Sequence, residues 1–497
     1  MKKMNLLAMS LVSAAALSFS SCSSNDDLGG GAGTQSQADG VYMTLKISGA
    51  TSHGTRTGVT ADKTTTDNGS VAESTITEGM MYIYDGPTCV FRKVITKDMF
   101  ETAPTQTTSG VTKPIKVAVT GAITTGKKYD VYFLANRTNV DNPIAATSIF
   151  TSTTGGADFA TDNKFVMFNQ NDGTKAAAHS KVEFTDAAKS DKSPAAADEI
   201  KLDRVVARID NPSFDESVKT VTPAENTTTS INVADVVAGI SYEGFAVSNL
   251  NNNSYVMQNW DTKFKTLNVK WGEPKYSLPK SDYGTLYNAA GLVNFSSKEN
   301  PVSWKYAFEN TTTDVNEATA VYFKVKVALT ETAMTASDFK DGTFYRYDGR
   351  LYTSIQAIFD DAATGAISNP FTETSSITPA NVVAKITKDG KLTTDETVLA
   401  KFREDYKIEV YRQGVMYYRW AISDNAYKPF VASDPTHTYS VLRNSIYRLN
   451  VTKVSEIGKD VPNGPEPDDP VKNPNFYMNV TVSINPWVLN AQPIELK

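Results

Sequence analysis

The side chains best suited to nucleophilic or metal chemistry in this 497-residue chain are three histidines and two cysteines: His53, His179, His437, Cys22 and Cys89. They stand far apart, and the chain contains no Cys-x-x-Cys, His-Glu-x-x-His or Gly-x-Ser-x-Gly motif and no glycine-rich phosphate loop. Acidic residues are plentiful, but no spacing pairs two of them for acid–base work. The sequence therefore predicts no catalysis, no metal and no cofactor.

Cys22 follows a short export signal. Two lysines precede an apolar stretch, residues 6–19, that is too short to span a bilayer. The two serines before Cys22 resemble the lipobox of bacterial lipoproteins, in which the cysteine becomes the acylated, palmitate-bearing first residue. The sequence predicts a signal peptide over residues 1–21 and lipid on Cys22. The alternative is an ordinary signal peptide with an incidental cysteine.

A strand-like segment follows a polar, glycine-rich tether over residues 23–40. Residues 41–48 alternate strictly between apolar and polar side chains, which is the pattern of a half-buried β-strand. Its apolar face consists of Val41, Met43, Leu45 and Ile47. The sequence predicts that these four side chains insert into a core.

Arg56 lies just beyond that strand, within a stretch of small and polar residues. A trypsin-like protease easily cuts at an exposed basic residue in such a loop. Cleavage between Arg56 and Thr57 would sever residues 41–48 from the rest of the chain. We interpret the strand as a temporary part of the fold. The alternative is a solvent-exposed arginine with no role in processing.

Composition restricts the class of protein. Hydrophobic residues make up 40% of the chain, charged residues 21%, and the net charge is −6. This mild acidity and the lack of a basic stripe argue against nucleic-acid binding. Many tyrosine and phenylalanine residues, 23 and 22 respectively, favour an all-β protein. With Cys22 lipidated, Cys89 has no partner for a disulfide, and we expect a buried structural thiol.

Strand-like runs separated by turn residues continue from residue 80 onward. Residues 200–209 resemble one strand with charges on one side, and a short helix is expected after Asn142-Pro143. A turn at Asn211-Pro212 indicates a boundary between a first domain, residues 57–212, and a second, residues 213–497.

Two short helices are predicted within the second domain. Ser354 can cap residues 355–362, and Asp395 can cap residues 398–406 with Val398, Leu399 and Phe402 on the apolar face. The chain then ends on a second alternating strand, residues 476–484, followed by Pro486. Beyond the strand, the tail contains the apolar residues Trp487, Leu489, Ala491, Ile494 and Leu496 among others.

Several of these segments resemble the fimbrillins of Bacteroidales, the stalk subunits of type V pili. The resemblance covers the lipobox at Cys22, Arg56, residues 129–136, residues 202–208, residues 441–447 and residues 480–487. It is most specific in the Arg-Asn-x-x-Tyr element at Arg443 and in the terminal strand with Trp487. Within the family, the stalk subunits of the short, minor fimbria of Porphyromonas are most similar.

The resemblance implies two transthyretin-like β-sandwich domains and export as an outer-membrane lipoprotein. An arginine-specific protease would cut after Arg56, leaving residues 22–56 as a lipidated propeptide and Thr57 as the new N-terminus. Val41, Met43, Leu45 and Ile47 would depart, and a neighbour's tail from Trp487 onward would replace them.

The implied partners are copies of the chain itself in a head-to-tail polymer, anchor and tip fimbrial subunits, the protease, and host or bacterial surface receptors. Adhesion, biofilm formation and virulence are the implied roles of the fimbria. The first alternative is a monomeric surface lipoprotein that binds a glycan or a host protein. The second is an anchor or tip fimbrillin.

Overall fold

The computed structural model describes residues 40–49, 69–70, 72–101, 115–145, 147–171, 180–222, 232–258, 275–276, 302–312, 318–372, 377–422, 439–461 and 478–486. Within these ranges the chain is mostly strands arranged in several sheets, with a few short helices. The all-β prediction is confirmed.

The strands described in the first half of the chain lie between residues 41 and 204. They are β1 (Val41–Leu45), β2 (Ile47–Gly49), β3 (Gly79–Asp85), β4 (Thr88–Ile95), β5 (Ile115–Val119), β6 (Lys128–Ala135), β7 (Ile149–Thr151), β8 (Met167–Asn169), β9 (Ser180–Glu183), β10 (Ala195–Ala196) and β11 (Ile200–Arg204).

The strands of the second half are β12 (Ala207–Asp210), β13 (Ser213–Phe214), β14 (Val237–Ser248), β15 (Leu250–Asn251), β16 (Asn253–Tyr255), β17 (Lys275–Tyr276), β18 (Trp304–Ala307), β19 (Asn310–Thr312), β20 (Ala320–Leu329), β21 (Phe344–Tyr347), β22 (Arg350–Tyr352), β23 (Thr387–Lys388), β24 (Lys391–Leu392), β25 (Glu409–Tyr411), β26 (Val415–Ala421), β27 (Tyr439–Val441), β28 (Ser445–Val454) and β29 (Met478–Pro486).

The described helices are all short. They are α1 (Lys97–Glu101), α2 (Val233–Val236), α3 (Glu331–Ala336), α4 (Ile355–Thr364), α5 (Pro379–Lys385) and α6 (Glu396–Tyr406). The helices α4 and α6 begin at the predicted caps, since Ser354 accepts a hydrogen bond from Ala357 N and Asp395 from Thr397 N.

Two sheets enclose the core of the first half. One has the strand order β10-β1-β5, and the other has the order β2-β11-β8-β6-β3-β4, with β9 also paired to β6. Apolar side chains of both sheets belong to a single buried cluster, which includes Leu45 and Val117 from one sheet and Val131 and Phe168 from the other. This face-to-face arrangement is a β-sandwich.

The second half is built in the same way around a second cluster. The strand β28 pairs with β12 and β13 on one side and with β29 on the other, while β14, β20 and β26 form the opposing sheet. Leu449 and Val451 from the first sheet share a buried cluster with Phe323 and Val325 from the second. A third cluster lies between the helices α4 to α6 and the small sheet β22-β21-β25.

Several local predictions are wrong. Residues 200–209 do not form one strand, because the chain bends at Val205-Val206 between β11 and β12. The segment after Pro143 contains turns instead of a helix. Val398 is 37% exposed, so it does not belong to the apolar face of α6.

A further correction concerns Cys89, which is only half-buried, since it lies on the edge strand β4. The predicted boundaries, 57–212 and 213–497, and the transthyretin-like topology stay predictions.

Candidate strand-exchange groove and domain junction

The alternating segment lies in the interior of the first sandwich. The strand β1 is antiparallel to β5, with Met43 opposite Val117 and Leu45 opposite Ile115. On its other side it is parallel to β10, with Met43 opposite Ala195. Because both edges of β1 are paired, it is a central strand.

After Lys46 the segment continues in the other sheet of the sandwich. The strand β2 is parallel to β11, with Ile47 opposite Ile200. Backbone hydrogen bonds support the crossing, since Ala197 N donates to Thr44 O at 3.1 Å and Ile200 N donates to Lys46 O at 2.9 Å. The two strands therefore contribute to both sheets that enclose the core.

The four predicted apolar side chains are buried as their spacing requires. Met43, Leu45 and Ile47 are completely buried and Val41 is 6% exposed, whereas the intervening Tyr42, Thr44 and Lys46 are partly exposed. Removing residues 41–49 would leave a groove bounded by β5 on one side and by β10 and β11 on the other. We call this space the groove.

The remaining predicted site residues lie outside the described ranges. They are Cys22, Arg56 and Thr57 in the N-terminal region, and Trp487, Leu489, Ala491, Ile494 and Leu496 in the tail. The last described strand, β29, ends at Pro486, which lies opposite Ser445 at the start of β28. The residue from which the tail continues, Pro486, therefore lies beside the first residue of β28.

A buried polar cluster that we did not predict joins the two sandwiches next to this point. Asn444 immediately precedes β28, and its Nδ2 donates to Asp203 Oδ1 at 2.7 Å. Its Oδ1 accepts from the backbone N and from Nη1 of Arg204, at 3.4 and 3.2 Å. Asp203 and Arg204 end β11, one wall of the groove. Asn444 thus connects the beginning of the tail to the groove.

A second connection is formed by Glu73. This fully buried carboxylate accepts from Arg208 Nη1 at 3.1 Å and from the hydroxyl of Tyr306 at 2.8 Å. Arg208 lies on β12 and Tyr306 on β18, both in the second sandwich. The segment that carries Glu73 is fixed to the first sandwich, because Asn163 N donates to Ala72 O at 2.8 Å.

A third connection is a two-stranded ribbon shared by the sandwiches. The strand β7 pairs with β16, with Phe150 opposite Ser254. Arg443 binds β16 by donating to Tyr255 O at 2.7 Å, and it also donates to Glu309 Oε2 at 2.8 Å. Nearby, Phe308 N donates to Gly155 O at 2.9 Å. We call the three connections together the junction.

Burial alters the ionisation of the junction. Desolvation raises the pKa of Asp203 to about 7, although the positive charges of Arg443 and Arg204 act in the opposite direction. Desolvation lowers the pKa of Arg204, and the carboxylates of Glu73 and Asp203 counteract it. The sequence signal for this site was the pair of adjacent charges, Asp203 and Arg204, between apolar Leu202 and Val205.

Residues 409–493 match the family model of the major fimbrial subunit protein type IV, fimbrillin, C-terminal. The predicted resemblance to the fimbrillins is thereby confirmed over this region, which is similar to a fimbrillin C-terminal domain. The closer resemblance to the stalk subunits of the minor fimbria stays a prediction.

The solved structures to which the chain is similar include fimbrial proteins. The fimbrilin (fimA) from Porphyromonas gingivalis W83 is 16% identical, and the alignment covers 91% of this chain and 99% of that one with a TM-score of 0.40. The C-terminally truncated tip fimbrial protein Mfa3 from Porphyromonas gingivalis is 10% identical, with coverage of 90% and 100% and a TM-score of 0.35. No curated protein matches the chain.

The described residues offer no candidate for two other kinds of site. Within the described ranges, no group of three or more histidine, cysteine, aspartate or glutamate residues is placed to hold a metal ion. Among the same residues, no helix is both long enough and apolar enough to cross a membrane.

Proposed function

We propose that this fimbrillin is a stalk subunit that polymerises by strand exchange. The observation that supports the proposal best is the placement of β1 and β2, whose four buried side chains fill a groove between β5 and β11. These strands precede Arg56, so a single cut between Arg56 and Thr57 separates them covalently from every other strand of the sandwich.

The energetics favour exchange once the chain is cut. Burial of each apolar side chain contributes roughly 1.5–3 kcal/mol, or about 6–12 kcal/mol for the four before the entropic cost. A donor strand from another subunit offers a similar gain. The covalently attached strand is preferred in the precursor because its effective concentration is on the order of millimolar or more. Cleavage removes that advantage, and a donor with better contacts can replace the strand.

The tail after Pro486 is the proposed donor. Trp487, Leu489, Ala491, Ile494 and Leu496 supply apolar side chains for the positions that Val41, Met43, Leu45 and Ile47 vacate. Because each subunit accepts at its groove and donates from its tail, the contact is head-to-tail. Such a contact does not close on itself and generates a filament.

The proposed maturation of the subunit begins with an outer-membrane lipoprotein acylated on Cys22. An arginine-specific protease then releases the mature subunit into a surface fimbria, which also contains anchor and tip subunits. The filament supports adhesion and biofilm formation through host or bacterial receptors. The subunit performs no catalysis.

Polymer formation distinguishes this proposal from a monomeric surface lipoprotein that binds a glycan or host protein. Surface-sheared protein would be run on an SDS gel after graded heating without reduction. A strand-exchanged polymer gives a ladder that collapses to one band at high temperature, because each subunit is held by a separately melting donor strand. A single monomer band at every temperature would contradict the proposal.

A further inference from the structure

The junction connects the origin of the tail to the wall of the groove over a very short path. Pro486, the last described residue before the tail, lies opposite Ser445, and Ser445 is preceded by Asn444. Asn444 bonds directly to Asp203 and Arg204, which end β11. The inference rests on the proposed strand exchange, in which each subunit binds its neighbours through its tail and its groove. In this geometry both the tail and the groove are attached to the same buried polar cluster.

We propose that Asn444 and Glu73 are positioning residues that fix the tail origin at a constant angle to the groove and so determine the stiffness of the filament. Neither residue touches a neighbouring subunit in this scheme. They act by holding the two sandwiches of one subunit together.

The energetic basis is the burial of the ion pair that crosses the junction. Glu73 is 0% exposed, so a rotation that separated it from Arg208 would leave a buried carboxylate without this charge partner. Sliding is opposed as well, because Asn444 N donates to Val206 O at 2.8 Å and β7 remains paired to β16. Hinge motion between the sandwiches is therefore restricted in several directions.

Asn444 can be changed without adding backbone strain. Its φ is +53°, in the left-handed region where glycine is well tolerated. Asn444→Gly removes the three side-chain hydrogen bonds and keeps the backbone conformation. A control is Asn450→Gly within β28, the strand that follows Asn444. Asn450 accepts from Ser213 Oγ at 2.9 Å and donates to Asp215 Oδ1 at 2.6 Å, both within the second sandwich.

The first measurement uses the uncut full-length precursor, so it does not depend on polymerisation. Spin labels would be attached to cysteines introduced at the exposed positions Ala118 on β5 and Ala328 on β20, with Cys22 and Cys89 replaced by serine. Pulsed electron resonance then gives the distribution of distances between the sandwiches. We expect Asn444→Gly to broaden this distribution about two-fold and Asn450→Gly to leave it unchanged, because only the first variant frees a hinge.

The second measurement is the persistence length of filaments in electron micrographs. We expect Asn444→Gly filaments to show the normal SDS ladder and a persistence length lower by about two-fold or more, since stiffness requires a fixed angle within each subunit. If Asn444→Gly does not fold, Glu73→Gln tests the second connection with the same two readouts. Folded variants with the wild-type distance distribution and persistence length would overturn the inference. Absence of a ladder in the wild type would instead contradict strand exchange.

Discussion

Met43 of β1 lies directly opposite Val117 of β5 in an antiparallel ladder, and its side chain is completely buried. This relationship makes the first strand an internal part of the sandwich. A strand that leaves from such a position exposes apolar side chains of the core and two rows of unpaired backbone groups. Only another strand with the same alternation of apolar and polar residues can both cover the apolar side chains and pair the backbone groups.

The face of β1 on which a residue lies should determine how much that residue stabilises the uncut precursor. Leu45→Ala is expected to destabilise the uncut protein by about 2–5 kcal/mol, because the deleted atoms leave a cavity in the core. Thr44→Ala is the control, since Thr44 is partly exposed on the same strand, and its effect should stay within about 0.5 kcal/mol. Urea denaturation of the two variants measures the difference. Equal changes in the free energy of unfolding would show that burial of the groove residues does not stabilise the core.

The identity of the cut residue is tested by substitution. Arg56→Ala should leave a lipidated monomer with no ladder, because the first strand keeps its covalent advantage. Arg56→Lys should behave in the same way if the protease is specific for arginine. Lys63→Ala is the control within the same stretch of sequence and should polymerise normally. Abundant polymer from Arg56→Ala would contradict cleavage at this position.

Deletion of residues 487–497 should produce a subunit that accepts a donor and cannot give one. Mixed in equal amounts with intact subunits, it should shorten filaments to an average of about two subunits, because half of the chains then terminate growth. Lys497→Ala is the control, since it alters the tail without removing an apolar side chain. Filament length in electron micrographs provides the readout. Unchanged length would exclude the tail as the donor.

The junction should make stability depend on pH. Burial raises the pKa of Asp203 from 3.8 to about 7, so the stability associated with its neutral form is present at low pH and is lost as the pH rises through about 7. Asp203→Asn removes this titration. The melting temperature of the variant relative to wild type should therefore increase between pH 5 and pH 8. A relative melting temperature that stays constant or falls would contradict the assignment.

The local patterns of the sequence predicted the strands and two helices well. Residues 41–48 show period-two alternation, and Ser354 and Asp395 are local helix caps, so each signal lies within a few residues of the structure it predicts. The helix α5 was missed although Thr378 and Pro379 form a recognisable start, because the helix is only seven residues long.

The junction could not be derived from such patterns. Asn444 and Asp203 are 241 positions apart, and their hydrogen bond depends on the packing of the two sandwiches. The bend at Val205-Val206 has the same origin. Two β-branched residues favour a continuous strand, yet β11 pairs with β2 and β8 while β12 pairs with β18 and β28, so the chain must change sheets between them.

Subunits in the filament are expected to lack their own first strand. Surface-sheared filaments should be purified, dissociated by heat and examined by N-terminal sequencing and intact mass measurement. We expect a mature chain that begins at Thr57, with no peptide from residues 41–48 present. Filament subunits that begin at Cys22 and retain Val41, Met43, Leu45 and Ile47 would contradict this expectation.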